Sequence, residues 1–143
     1  MPKKTAEEFR EDGFFITGDI AQMDADGYIS IVGRAKDLII TGGYNVYPKE
    51  VETEIDLIEG VLESAVIATP HPDFGEAVVA IVIKSTGSQV SVDDIQSTLK
   101  EKLAKFKLPK QIFFLDNLPR NTMGKVQKAE LRTKYADTFA SER

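Results

Sequence analysis

Residues 61–68, VLESAVIA, and 76–84, EAVVAIVIK, are rich in β-branched and small apolar side chains and stand only seven residues apart. Runs of that composition fit the pleated, packed surface of a sheet. The two are expected to pair as core strands, and the rest of the fold has to be built around them. The intervening TPHPDFG carries Pro70 and Pro72, which lack a backbone donor and fix φ, so no regular structure is expected between the runs.

The elements on either side follow from local patterns. Residues 14–20, FFITGDI, and 27–32, GYISIV, read as two short strands around MDADG, whose Asp26-Gly27 supplies hairpin turn residues. A further extended stretch, DLIIT, runs into Gly42-Gly43, where two residues without Cβ permit a positive φ or the close approach of another backbone or a ligand. Pro48 suits a first helical turn, and Val51, Ile55 and Ile58 recur at i, i+4 and i+7, giving an amphipathic helix stopped at Gly60. Ser91 with Asp94 resembles a capping box, and Val92, Ile95, Leu99 and Leu103 line a second helix that FKLPK breaks. QIFFL reads as a strand, and Leu131, Tyr135 and Phe139 as the apolar stripe of a last helix. The expected order is a hairpin followed by β-α-β-β-α-β-loop-α. That is an α+β chain: a short N-terminal β-hairpin, then a compact domain with a small mixed sheet flanked by helices, joined by a hinge in the charged GRAKD.

Composition removes several functions. The 143 residues hold no cysteine and one histidine, which excludes a disulfide scaffold and a Cys/His zinc site and is in keeping with a cytoplasmic protein. A net charge of −5 argues against nucleic acid as a partner, despite the basic KEKLAKFKLPK. No apolar run approaches the roughly 20 residues a membrane-spanning helix needs.

Any anion site must therefore be local. In LPRNTMGKVQKAELR, Lys125 follows Gly124, with Arg120 and Lys128 flanking it, so a locally cationic loop able to hold phosphate or carboxylate is expected. The competing reading is a solvated lysine ahead of a helix. A phosphate-cradling Walker loop is excluded, because Val126 stands where the hydroxyl that meets Mg²⁺ belongs. Asp19 at a strand end is able to accept ribose hydroxyls or to cap a turn, and Arg34 to reach phosphate or ribose oxygens or to pair with Asp37. Phe106 among lysines suits base stacking, or serves as the last apolar residue of the preceding helix. His71 between prolines reads as part of a rigid surface loop, and Phe113-Phe114 as strand core.

Taken together, residues 14–52 and LPRNTMGKVQKAELR, in that order and spacing, resemble the hinge region and the C-terminal catalytic lysine loop of the adenylate-forming superfamily: acyl-CoA synthetases, peptide-synthetase adenylation domains and luciferases. The resemblance covers nearly the whole chain. GGYNVYPKEVE, PHPDFGEAV, LAKFKLPK and LPRNTMGKVQK are most similar to those of malonyl-CoA synthetases; medium- and long-chain acyl-CoA ligases share much of them.

The resemblance implies a two-step reaction. A carboxylate and ATP give acyl-AMP and pyrophosphate, and CoA then displaces AMP to give the thioester. It implies Lys125 as the catalytic cation of the first step and Asp19 and Arg34 as ribose-binding. Lys36 and Asp37 become the hinge, and Gly42, Gly43, Phe106 and Lys110 the CoA-binding set. It also implies that residues 1–35 are the last segment of an N-terminal adenylation core and 36–143 the mobile C-terminal domain. The Mg²⁺ ligand and acyl pocket would lie in the rest of that core, leaving this stretch inactive alone. An amino-acid adenylation domain and a stand-alone binding module are the alternatives, and acylation of Lys125, which would erase its charge, is a plausible control.

Overall fold

Val61–His71 (β5) and Gly75–Lys84 (β6) form a long antiparallel pair in register from Val61↔Lys84 to His71↔Gly75. The other edge of β6 takes Ile39–Thr41 (β3) at Thr41↔Gly75 and Gln111–Leu115 (β7) in parallel along Val79–Ile83. Tyr44–Val46 (β4) completes a five-stranded mixed sheet ordered β4-β3-β6-β5, with β7 beside β6. This computed structural model describes residues 1–142.

The unbroken apolar run of β6 has a simple cause: both faces of the strand are covered. Val78, Ala80 and Val82 pack with Val51 and Ile55 of Pro48–Asp56 (α2) and Ile95 and Leu99 of Val92–Lys102 (α3). Ala77, Val79, Ile81 and Ile83 face the opposite way, onto Leu118, Phe139 and Leu131 of Lys128–Lys134 (α4). Strands buried on both faces lose the alternation of half-exposed ones. Of the helical stripes expected from spacing, Val51, Ile55, Ile95, Leu99, Leu131 and Phe139 are buried, and Ile58, Val92, Leu103 and Tyr135 pack partly buried against them.

The capping box forms in full. The Ser91 side chain accepts from the Asp94 N–H at 3.2 Å, and Ser91 N–H and Oγ donate to the Asp94 carboxylate at 2.8 and 2.7 Å. Those Ser91 donors hold the Asp94 carboxyl below the usual carboxylate range. A depressed folded-state pKa adds stability that is present at neutral pH and lost as the group protonates. Asp94→Asn is therefore expected to lower the melting temperature at pH 7, with the gap to wild type narrowing as the pH falls through the carboxylate range.

Several expectations need correction. β5 runs through Thr69, Pro70 and His71, so only residues 72–74 form the turn. Pro70 is tolerated because β5 is an edge strand, where a missing donor costs no ladder bond. His71 is consequently a buried strand-end residue, not part of a surface loop. β4 was not foreseen. It pairs with β3 across Gly42-Gly43, whose φ values of 55° and 84° are the two consecutive positive angles a type I′ hairpin requires. α2 ends at Asp56, before Gly60, and α4 at Lys134, so Tyr135 and Phe139 contribute to the core from turns.

The chain divides into two compact units, residues 1–36 and residue 37 onward. The first holds Pro2–Glu8 (α1), which the sequence reading missed, and the expected hairpin of Asp19–Met23 (β1) and Ile29–Arg34 (β2). Its first strand begins at Asp19 and not at Phe14. Among the described residues no helix is long and apolar enough to cross a membrane.

Candidate functional site

The loop around Lys125 is shaped by the Asn121 side chain and by its own backbone. Asn121 Oδ1 accepts from the N–H groups of Met123 and Lys125 at 3.0 and 2.9 Å, and Asn121 N–H donates to the Lys125 carbonyl at 2.9 Å. Gly124, at φ 80°, allows the chain to reverse. Arg120 donates to the Gly124 carbonyl at 2.8 Å from one side of the loop.

Of the three cations expected to make this loop locally cationic, two are neutralised by partners. Arg120 is ion-paired with Glu63, and Lys128 Nζ lies 2.5 Å from Glu52 Oε1. Both flanking cations are therefore spent on holding the loop to β5 and α2. Lys125 remains exposed, and its ammonium has no ion-pair or hydrogen-bond partner among the described residues. Lys125 is thus an exposed, unpaired cation on a hydrogen-bonded turn, free to meet an anion.

A second feature gathers Gly42, Phe106 and Lys110. With Thr41, Tyr44, Phe74, Val78, Lys105 and Leu108 they line a cleft of about 480 Å³. Phe106 belongs to a short 3₁₀ turn, Lys105–Lys107, and not to α3. Its ring stacks on Tyr44, with centroids 4.7 Å apart. Lys110 Nζ sits 4.3 Å from the centre of the Phe74 ring. Aromatic faces with ammonium groups at the rim suit a planar base carrying phosphates. Gly43 is at the hairpin tip but does not line the cleft; a Cβ there would meet open space.

In the first unit, Asp19 and Arg34 face each other in the hairpin register, and Arg34 Nε lies 2.9 Å from Asp19 Oδ1. Arg34 also donates to the Thr17 carbonyl at 2.9 Å. Asp37 pairs instead with Arg132 of α4, at 3.1 Å. The division between the two units falls between Lys36 and Asp37.

The family profile described as AMP-binding enzyme C-terminal domain matches residues 50–125. The chain belongs to that family. This AMP-binding C-terminal domain is similar to ATP-bound MatB from Rhodopseudomonas palustris, with 57% identity and a TM-score of 0.89, covering 97% of this chain and 28% of that one. It is 44% identical over 134 residues to a feruloyl-CoA synthase of Amycolatopsis sp, covering 94% of this chain and 27% of that protein. It is 43% identical over 137 residues to the long-chain-fatty-acid–CoA ligase FadD13 of Mycobacterium tuberculosis, covering 96% and 27%. The chain thus spans about a quarter of the length of these relatives. The resemblance to the C-terminal domain of adenylate-forming enzymes, and the α+β fold it implies, are borne out.

Three residues that shape this C-terminal domain carry little signal in the sequence. Tyr44 was hidden because β4 was unread. Phe74 follows Pro70 and Pro72 in the stretch where no regular structure is expected, and its ring carries Lys110. Glu52 had one visible signal: an acid three residues before Ile55, on the buried stripe of α2. It is 8% exposed and accepts from the Val66 N–H at 2.9 Å as well as from Lys128.

Proposed function

We propose that this domain works as part of an AMP-forming acyl-CoA ligase, converting a carboxylate and ATP to acyl-AMP and pyrophosphate and then transferring the acyl group to CoA. The observation that carries the reading is the uncommitted ammonium of Lys125 on a loop whose other cations are paired. In the first step Lys125 bridges the carboxylate and the α-phosphate oxygens, drawing two anions together and offsetting charge that builds on the phosphoryl group. Asp19 and Arg34 hold the ribose hydroxyls. Their mutual ion pair engages one carboxylate oxygen, Oδ1, and fixes the other for a hydroxyl.

Lys36 and Asp37 form the hinge about which the domain turns between the two steps. The division of the chain at this point supports that role. Gly42 and Gly43, Phe106 and Lys110 then serve CoA: the glycine tip passes the pantetheine arm, Phe106 stacks on adenine and Lys110 meets the 3′-phosphate. The cleft's aromatic lining and rim ammonium groups fit such a group. No cluster of three or more His, Asp or Glu side chains among the described residues is able to hold a metal ion, so no step is assigned to Mg²⁺ here.

Malonate is the proposed acid, from the resemblance of the GGYNVYPKEVE, PHPDFGEAV, LAKFKLPK and LPRNTMGKVQK motifs to those of malonyl-CoA synthetases. The names of the feruloyl and long-chain-fatty-acid relatives keep a larger acid as the second reading. Two measurements test this. The 143-residue chain given ATP, malonate and CoA is expected to make no malonyl-CoA; product would overturn the view that the acyl pocket lies outside it. A ligase carrying this domain should favour malonate over a long-chain fatty acid, ferulate or an amino acid, and the opposite ranking would replace the substrate.

A further inference from the structure

We infer that Phe74 is a positioning residue that aims the Lys110 ammonium, and that the cleft's preference for a 3′-phosphorylated adenine nucleotide depends on its ring. The inference rests on the CoA reading of the cleft proposed above. Phe74 ends the turn between β5 and β6; its backbone is tied to the glycine hairpin, and its ring, 39% exposed, packs on His71. Toward the glycine hairpin, the Phe74 carbonyl accepts from Gly42 N–H at 3.0 Å, and a Cβ on Gly42 would come within 3.3 Å of Phe74 Cδ1. Away from it, the ring packs 4.7 Å from the buried His71 ring, which itself lies 4.9 Å from the ring of Phe139.

Lys110 meets that ring at 4.3 Å, while its backbone N–H is anchored on the Val78 carbonyl at 2.8 Å. The contrast with its neighbour is informative. Lys107 is ion-paired with Glu50 at 2.7 Å, whereas Lys110 has no carboxylate partner among the described residues. A carboxylate would orient the ammonium and cancel its charge. An aromatic face orients it and leaves the charge available to a phosphate. It also narrows the rotamers of a long flexible stem before the ligand arrives, which lowers the cost of binding. Gly42, Phe74 and Lys110 then form one chain of contact from hairpin tip to cation.

The test is a titration of the 143-residue chain with coenzyme A and with dephospho-coenzyme A, followed by amide NMR. Wild type is expected to prefer coenzyme A, and Lys110→Ala to lose the preference. Phe74→Leu keeps an apolar side chain against His71 but removes the π face. It is expected to weaken coenzyme A about two- to fivefold more than dephospho-coenzyme A, and Phe74→Tyr to restore the wild-type ratio. Should the amide spectrum show Phe74→Leu unfolded, Phe74→Met carries the same comparison. If Lys110→Ala loses the preference while Phe74→Leu keeps it, or weakens both ligands equally, the role of Phe74 is overturned and the CoA reading stands. If wild type shows no preference, or Lys110→Ala retains it, the CoA reading falls and takes this inference with it.

Discussion

Lys125→Ala in a ligase carrying this domain is expected to slow acyl-adenylate formation about a thousandfold. An ammonium about 4 Å from a phosphoryl charge contributes roughly 4 kcal/mol at an effective dielectric near 20, and each 1.36 kcal/mol is tenfold in rate. Thioester formation from preformed acyl-adenylate should be nearly unchanged, because the reading gives Lys125 no part in that step. Pyrophosphate release and thioester formation from synthetic acyl-adenylate, measured separately, check the two halves. Equal loss in both would remove the role assigned to Lys125. Stability is not expected to move with it, since the loop is shaped by Asn121 and Gly124 and the lysine side chain is exposed.

The largest stability effect is expected at Glu52. Its carboxylate reaches round the open edge of β5, where it accepts the Val66 N–H and pairs with Lys128 at the start of α4. It therefore links α2 and α4, which cover opposite faces of the sheet, and it blunts an unpaired strand edge. Glu52→Ala leaves a largely buried ammonium and a buried N–H without partners, at a cost of about 3–5 kcal/mol. Chemical denaturation should show this as a shift in midpoint. Replacing the pair together, Glu52→Leu with Lys128→Met, should recover much of the loss, because no lone charge is then left buried. If the single change costs no more than an ordinary surface substitution, the pair does not secure the edge. Lys128 stands three residues after Lys125, so the same variant is also expected to loosen the base of the Lys125 loop.

How far the sequence could be read depended on the range of each signal. The strands 61–71 and 75–84 were visible because β-branched runs report a packed sheet directly. Helices α2 and α3 were visible because apolar spacing and a three-residue cap are patterns within one turn. The exact ends of elements were less clear. Pro70 was read as a breaker because nothing local reveals that its strand lies at a sheet edge, and β4 was lost because three residues carry no period.

The site divides in the same way. Sequence by itself determined that Lys125 follows a glycine in a loop ahead of a helix, that Gly42-Gly43 permits a sharp reversal, and that the chain carries the family's motifs in order. Only the tertiary structure decided which cations are available. Arg120 finds Glu63 across 57 positions and Lys128 finds Glu52 across 76, while Lys125 between them finds no partner among the described residues. It also decided that Phe106, Lys110 and Gly42 share one cleft, through Tyr44 and Phe74. The reason is physical: periodicity and capping act over a few residues of backbone, whereas ion pairing and ring contacts depend on which distant segments the sheet brings side by side.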